Sequence, residues 1–249
     1  MNPELIYRML AEDPNAYRGM SVEEVAYCTI TNHYDQKQAY KMDIIKEEGS
    51  EDRITPVAIF LHGGGFTEPC DKRQAYVPLF ARSLTKAGYT VVAPDYPVYK
   101  DEQDRDANGG GNQAVLKAAQ AIGYAYDYLE EHAARYHLDM SQVSIMGGSA
   151  GGMTAFYAVA NQPDRYRAMV NCWGSPHKLP NLENFPPVLS IHGTKDQAVP
   201  YELEANLARA LDAAGIRNEL ITLEGGPHTP LDRFDEYMPR ILEWIADEA

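Results

Sequence analysis

Apolar residues in this chain fall into two alternating kinds of segment. Runs such as residues 57–61 (VAIFL) are apolar throughout, which is typical of strands buried on both faces of a sheet. Stretches such as residues 150–160 and 203–214 place apolar residues three or four positions apart, as amphipathic helices do. The two kinds alternate from residue 57 onward, so the pattern predicts repeated strand–loop–helix units.

The pattern predicts strands and helices with defined bounds. Strands are expected at residues 25–32, 40–46, 57–61, 90–93, 142–146, 168–172, 188–191 and 219–223. Helices are expected at residues 3–12, 76–87, 112–137, 150–160, 203–214 and 237–246. Short connections between alternating strands and helices favour an α/β architecture, with a mostly parallel sheet of roughly eight strands and helices on both faces.

The whole chain, residues 1–249, is interpreted as a single domain. The first two strands are expected to pair as an antiparallel edge. No stretch is long enough for a large cap domain, so only the N-terminal helical segment 1–24 and the charged, glycine-rich stretch 99–112 are candidates for covering a site. The stretch 99–112 is either a flap or a solvated surface loop, and it lacks the Lys-Ser/Thr ending of a phosphate-binding loop.

Composition narrows the classes of partner. There are 36 acidic against 22 basic residues, a formal net charge of −14, and such a surface disfavours nucleic acid and anionic membranes as partners. Three scattered cysteines, Cys28, Cys70 and Cys172, indicate neither a disulfide framework nor a metal site. Without a visible signal peptide or membrane span we expect a cytoplasmic protein, or a secreted one if a signal peptide has been trimmed. The oligomeric state is left open.

The strongest chemical signal is the sequence GGSAGG, which places Ser149 between a predicted strand and a predicted helix. A serine in G-x-S-x-G at such a junction sits on a sharp turn with its hydroxyl raised, and glycines flank it because a Cβ would clash. Ser149 is therefore predicted to be a nucleophile.

A serine nucleophile needs a base and a group that orients the base. Asp196 follows the predicted strand 188–191, in HGTKD, and His228 follows the last predicted strand, in GGPH. His228 is the only histidine after Asp196, which makes it the candidate base. We expect His192, in the same HGTKD stretch, to brace the acid's loop and not to replace His228.

The sequence HGGGF, residues 62–66, follows directly after the predicted strand 57–61. Glycines let backbone N–H groups approach a developing oxyanion without side chains in the way. The predicted donors are the amides of Gly64, Gly65 and Ala150, and a contribution from Gly63 is left open. The candidates for lining a substrate pocket are Phe66, Gly148 and Trp173. For Trp173, a role that only fills the core is an equal alternative.

Together HGGGF, GGSAGG, HGTKD and GGPH resemble the α/β-hydrolase esterases that carry an HGGG oxyanion loop. This group includes BD-FAE-like and hormone-sensitive-lipase-like branches. Gly148 stands where the lipase-like branch usually has Asp, and the HGTKD form is closer to the BD-FAE and peptidase-like branches. The resemblance implies the α/β-hydrolase fold and a serine carboxylesterase that hydrolyses small esters through an acyl-enzyme. It also implies that no cofactor and no metal are used.

The acyl and alcohol groups stay open, with simple short-chain, sugar acetyl and feruloyl-type esters as the candidates. Three rival functions share parts of the pattern. They are a prolyl-oligopeptidase-like peptidase, a lyase using the same three residues, and a non-enzymatic ligand sensor on a hydrolase fold. The sensor is disfavoured because Ser149, Asp196, His228 and the oxyanion glycines are all present.

Overall fold

The structure is a computed structural model that describes residues 12–247. The helix expected at residues 3–12 lies almost wholly outside the described residues. Residues 14–19 form turns, and the first strand begins at Met20. Residues 20–24 of the predicted helical segment 1–24 are therefore strand. Met20 and Val22 alternate with the polar Ser21 and Glu23, as in a strand, and residues 20–24 pair with β2 and do not form a helix.

One eight-stranded sheet runs through the described part of the chain. Its strands are β1 Met20–Thr31, β2 Lys37–Glu47, β3 Thr55–Leu61, β4 Thr90–Pro94, β5 Leu138–Gly148, β6 Ala168–Cys172, β7 Val188–Gly193 and β8 Asn218–Leu223. The strand order is β1-β2-β4-β3-β5-β6-β7-β8. β1 pairs with β2 and β2 with β4 in antiparallel fashion, whereas all the remaining pairs are parallel. The predicted mostly parallel sheet with an antiparallel edge is confirmed.

The helices connect these strands. They are α1 Val77–Lys86, α2 Glu102–Ala107, α3 Gly111–Glu131, α4 Ala133–Tyr136, α5 Ala150–Asn161, α6 Tyr201–Ala213 and α7 Phe234–Asp247. None of the helices within residues 12–247 is long and apolar enough to cross a membrane. No further domain is inserted between these described strands.

Two differences from the predicted helices concern the middle of the chain. The single helix expected at residues 112–137 is divided into α3 and α4 at His132, and His137, with φ 51°, ends α4 just before β5. The stretch 99–112 contains α2, which begins where the Asp101 carboxylate accepts a hydrogen bond from the Asp104 N–H at 2.7 Å. No residue of α2 is buried, so this helix leaves no apolar periodicity in the sequence.

Apolar side chains cover both faces of the sheet. Alternate residues of β3 point to opposite faces: Ile59 packs in a core with α3 and α5, whereas Phe60 packs in a core with α1 and α7. Both side chains are at most 1% exposed, and burying one of them stabilises the fold by about 1.5–3 kcal/mol. The parallel strands end at a common edge of this double core, and the loops that follow them hold the candidate residues.

Candidate active site

Ser149 lies on a sharp turn between β5 and α5. Its backbone has φ 54° and ψ −119°, a strained combination for a residue with a side chain. The turn brings Gly147 against Gly151, since a Cβ on Gly147 would lie 2.5 Å from the carbonyl carbon of Gly151. Strain of this kind costs about 1–3 kcal/mol and is kept at functional sites. The turn places Ser149 in the wall of a cavity at the sheet edge.

The first turn of α5 packs directly on the backbone of β3. A Cβ on Gly151 would lie 2.2 Å from the carbonyl oxygen of Leu61 and 2.5 Å from that of His62. These two residues lead into the glycine loop of residues 62–66. The contact therefore fixes the position of Ser149 relative to that loop, and only glycine at position 151 permits it.

The structure brings the three predicted residues into one hydrogen-bonded chain. His228 Nε2 lies 2.9 Å from Ser149 Oγ, and His228 Nδ1 lies 2.7 Å from Asp196 Oδ2. The Asp196 side chain is fully buried, whereas that of His228 is 26% exposed. An aspartate in this position holds the imidazole with Nδ1 protonated, which leaves Nε2 free to accept the serine proton.

Asp196 is itself held by its own loop. Its Oδ1 accepts hydrogen bonds from the backbone N–H groups of Ala198 and Val199, both at 2.8 Å. Burial raises the pKa of Asp196, but hydrogen bonds from His192 and His228 outweigh burial and hold the pKa well below its usual range. Asp196 is therefore ionised at neutral pH, as a group that stabilises an imidazolium must be.

The amides of Gly64 and Gly65 in the glycine loop make no hydrogen bond within the described part of the chain. The carbonyl of Gly63 accepts from His62 Nδ1 at 2.9 Å, and that of Gly64 accepts from Thr67 N–H at 3.1 Å and Thr67 Oγ–H at 3.0 Å. Across a planar trans peptide the next N–H points the opposite way. The N–H of Gly64 therefore points away from the His62 ring, and the N–H of Gly65 points away from Thr67.

Gly63 is the fourth donor that the sequence leaves open, and the structure gives its N–H another partner. This N–H donates to Gln74 Oε1 at 2.7 Å. His62 is fully buried and stacks on Tyr96, whose hydroxyl donates to the His62 carbonyl. Burial lowers the pKa of His62, so the ring is neutral and Nδ1 is its donor toward the Gly63 carbonyl.

Ala150 is the first residue of α5 and lines the same cavity as Gly64, Gly65 and Ser149. The first N–H groups of a helix have no intrahelical acceptor, and the helix dipole favours negative charge there. The three predicted oxyanion donors thus border one cavity together with the Ser149 hydroxyl.

The stretch 99–112 is fastened to the glycine loop, a connection that the sequence did not indicate. Arg105 Nη1 donates to the Gly65 carbonyl at 2.7 Å, and the Tyr99 N–H donates to the Phe66 carbonyl at 2.8 Å. The Phe66 ring also lies against Gly111, with its Cε2 3.6 Å from where a Cβ of Gly111 would stand. The stretch forms one rim of the cavity, although no residue of α2 is buried.

The cavity beside Ser149 has a volume of about 710 Å³. Two of the three predicted pocket residues, Phe66 and Trp173, line it, whereas Gly148 does not. Apolar lining comes also from Met153 and Val199. Polar and charged side chains also line the cavity: four come from the candidate stretch 99–112 (Glu102, Arg105, Asp106 and Asn112), and the others are Gln74, His177 and Thr229.

Gly148 has a packing role instead. A Cβ at this position would lie 2.7 Å from the Tyr76 hydroxyl and 3.1 Å from Trp173 Nε1. The same Tyr76 hydroxyl occupies the space beside Gly63. The two aromatic side chains, both at most 2% exposed, therefore fill the volume that a larger residue before the nucleophile would need.

The strand order and the position of Ser149 at the carboxyl end of β5 place the chain in the class of α/β-hydrolases. The model of the BD-FAE family matches residues 42–173, more than half of the chain. The chain therefore belongs to the BD-FAE family, which decides between the two branches that the motifs left open.

Two relatives share sequence with the chain. A Yersinia pestis protein named carboxymethylenebutenolidase is 29% identical over 191 residues, which cover 68% of this chain and 71% of that protein. The Homo sapiens acylamino-acid-releasing enzyme is 28% identical over 120 residues, 46% of this chain. The matched region spans only 15% of the length of that human enzyme.

Solved structures share the fold at low sequence identity. An esterase from Rhizomucor miehei has a TM-score of 0.72 and 19% identity, and the match covers 99% of this chain and 91% of that chain. A truncated carbohydrate esterase from gut microbiota also has a TM-score of 0.72 and 19% identity, covering 95% and 98%. These matches confirm the predicted α/β-hydrolase fold.

Proposed function

We propose that the chain is a serine carboxylesterase that hydrolyses small esters with short acyl groups, using Ser149, His228 and Asp196. The observation that carries the proposal is the continuous hydrogen-bonded chain from Ser149 Oγ through His228 to Asp196, beside the two unpaired amides of Gly64 and Gly65. The names of the esterase structures that share the fold support the same class of substrate.

The reaction has two halves. His228 Nε2 takes the Ser149 proton as Oγ attacks the ester carbonyl, and the carbonyl electron pair moves onto oxygen facing the amides of Gly64, Gly65 and Ala150. The intermediate collapses, His228 gives its proton to the leaving alcohol, and an acyl-enzyme remains. Water activated by the same imidazole then frees the acid and restores Ser149. Loss of one oxyanion donor typically costs about 100- to 1000-fold in rate.

The cavity favours a short acyl chain and a polar alcohol. Buried Tyr76 and Trp173 form a rigid wall beside the nucleophile turn, which limits the length of an apolar chain. The rim formed by the stretch 99–112 instead presents Glu102, Arg105 and Asp106. The polar rim suits an alcohol with several hydroxyl groups, such as a sugar. An acetylated sugar therefore matches the cavity better than a feruloyl ester or a long-chain lipid ester does.

The test is a series of p-nitrophenyl esters from acetate to decanoate. We expect kcat/KM to be highest at acetate to butyrate and to fall at least about tenfold by decanoate, since a chain too long for its pocket gains no transition-state binding. Alanine p-nitroanilide, assayed in parallel, should not be cleaved. Amide cleavage faster than ester cleavage would favour the peptidase alternative instead.

Trp173→Phe tests the wall directly. Removing one ring of the indole enlarges the pocket without emptying it, so the ratio of decanoate to acetate kcat/KM should rise at least about fivefold. The variant Tyr124→Phe serves as a control because Tyr124 lies on the exposed side of α3 and does not line the cavity. An unchanged chain-length profile in Trp173→Phe would show that Trp173 only fills the core.

A further inference from the structure

His192 lies beneath the candidate active site in a fully buried polar cluster. Its Nε2 lies 2.9 Å from the Val199 carbonyl and 3.1 Å from Asp196 Oδ2, the oxygen that also accepts from His228. Its Nδ1 lies 3.7 Å from Glu204 Oε2. The side chains of His192, Asp196 and Glu204 are all 0% exposed. The proposed reaction does not use two of these three groups.

The contacts decide the protonation of the His192 ring. Nε2 faces two acceptors, the Val199 carbonyl and the Asp196 carboxylate, so Nε2 must carry a proton. A neutral ring would then turn the lone pair of Nδ1 toward Glu204, whose Oε2 already accepts from Asn171 Nδ2 at 3.0 Å. Two electron-rich groups facing each other in a buried site are unfavourable. A ring protonated on both nitrogens avoids this repulsion, so the contacts favour the imidazolium form of His192.

Electrostatics support the same assignment. Burial on its own lowers the pKa of His192, but the hydrogen bond with Asp196 and the nearby carboxylate of Glu204 outweigh burial and raise the pKa to about 9. The titratable groups that face the ring are Asp196, Glu204 and Tyr201, whose ring lies edge-on at 6.0 Å, and beyond Asp196 the imidazole of His228.

We propose that His192 is a positioning residue, an imidazolium held between Asp196 and Glu204 that keeps Asp196 aimed at His228. Together with Glu204, His192 also sets the electrostatic potential that acts on a proton bound to His228. The proposal rests on the proposed function, because it concerns the base of that reaction. In this cluster one imidazolium, His192, lies between the carboxylates of Asp196 and Glu204, and a proton taken up by His228 would reduce the excess of negative charge.

Two substitutions that each remove one charge should move the His228 pKa in opposite directions. His192→Gln removes the positive charge, which favours protonated His228 and raises its pKa. Glu204→Gln removes a negative charge while Asp196 still keeps His192 protonated, which lowers the His228 pKa. Charges at this range shift a neighbouring pKa by about half to one unit or more.

The experiment records kcat/KM for p-nitrophenyl acetate from about pH 4.5 to 9, where the acid limb reports the base of the free enzyme. We expect the limb to move to higher pH in His192→Gln and to lower pH in Glu204→Gln. His132→Gln, at the far end of α3 about 30 Å from the cavity rim, should match the wild type. Equal or same-direction movement of the limb in the two variants would overturn the proposal, because a purely structural role lowers the rate without opposite shifts.

A second readout does not depend on catalysis. NMR titration of the His228 ring should give the same pair of opposite pKa shifts in the two variants. If the wild type hydrolysed no ester while the NMR shifts appeared, the proposed function would fail and the electrostatic role of His192 would stand. If the wild type were active and neither variant shifted the His228 pKa, the role of His192 would fail alone.

The stability of the fold gives a third check on the sign. Because the pKa of His192 is raised from 6.5 to about 9 by folding, the stabilisation from its charge is fully present below about pH 6.5 and is lost as the pH rises to about 9. The equilibrium constant for unfolding in denaturant should increase at least about tenfold across this interval through this residue. In His192→Gln that part of the pH dependence should disappear.

Discussion

Ser149→Ala is expected to lower kcat/KM for p-nitrophenyl acetate by about 10⁴-fold or more, because the three residues act as a unit and loss of the nucleophile alone removes nearly all their contribution. Ser149 Oγ lies 2.9 Å from His228 Nε2, and no other described hydroxyl shares that nitrogen. The folded state should be little affected, since the substitution removes one partly exposed oxygen. Steady-state rates at matched protein concentration check this result.

Two controls make the Ser149→Ala result specific. Ser141→Ala alters an exposed serine at the opposite end of β5, about 25 Å along the strand, and should keep the full rate. A fluorophosphonate probe should label the wild type at Ser149 and leave Ser149→Ala unlabelled. Equal labelling of both proteins, or equal rates, would mean that another group is the nucleophile and would contradict the proposed function.

Gly151→Ala is expected to destabilise the fold strongly. The added methyl group would lie 2.2 Å from the carbonyl oxygen of Leu61 and 2.5 Å from that of His62, both of them backbone atoms that no side-chain rotation can move. Separating α5 from β3 should cost about 3 kcal/mol in the free energy of unfolding. It should also move Ala150 away from the glycine loop, so the activity of the remaining folded protein should fall as well.

A matched glycine in a helix provides the control. Gly123 lies within α3, and a Cβ there would meet Gln162 Oε1 at 3.6 Å, an ordinary contact distance. Gly123→Ala should therefore leave the rate unchanged and stabilise the protein by about 0.5–1 kcal/mol, because alanine suits a helix interior better. Denaturant unfolding of the two variants side by side measures the difference. A Gly151→Ala protein as stable as the wild type would show that α5 can shift freely against β3.

The regular elements were predictable because their signals are local. The apolar run in β3 and the glycines around Ser149 each describe their own immediate surroundings, and the structure confirms the strands and helices they predict. Asp196 and His228 follow late strands, and the structure places them in one hydrogen-bonded chain with Ser149. Chain order and strand ends were enough to nominate these residues.

What the sequence could not show are contacts between distant segments. Arg105 bonds a carbonyl 40 positions earlier, and the Gly63 amide is taken by Gln74, 11 positions later. Neither pairing leaves a periodic pattern or a motif in the sequence. The helix α2 has no buried face, so no pattern of apolar residues predicts it. The packing of Tyr76 against Gly148 is equally invisible, because it is a matter of volume that only the assembled core defines.

The bond from Arg105 to the Gly65 carbonyl also bears on how this enzyme class can be re-engineered. This hydrogen bond joins the cavity rim to the peptide group between Gly65 and Phe66. The rim therefore cannot be exchanged without disturbing the glycine loop. Grafting a foreign rim to change substrate choice would trade away turnover as well, unless the graft brings its own donor for the Gly65 carbonyl. In a laboratory library, substrate range and rate should therefore vary together at position 105 and independently at Trp173.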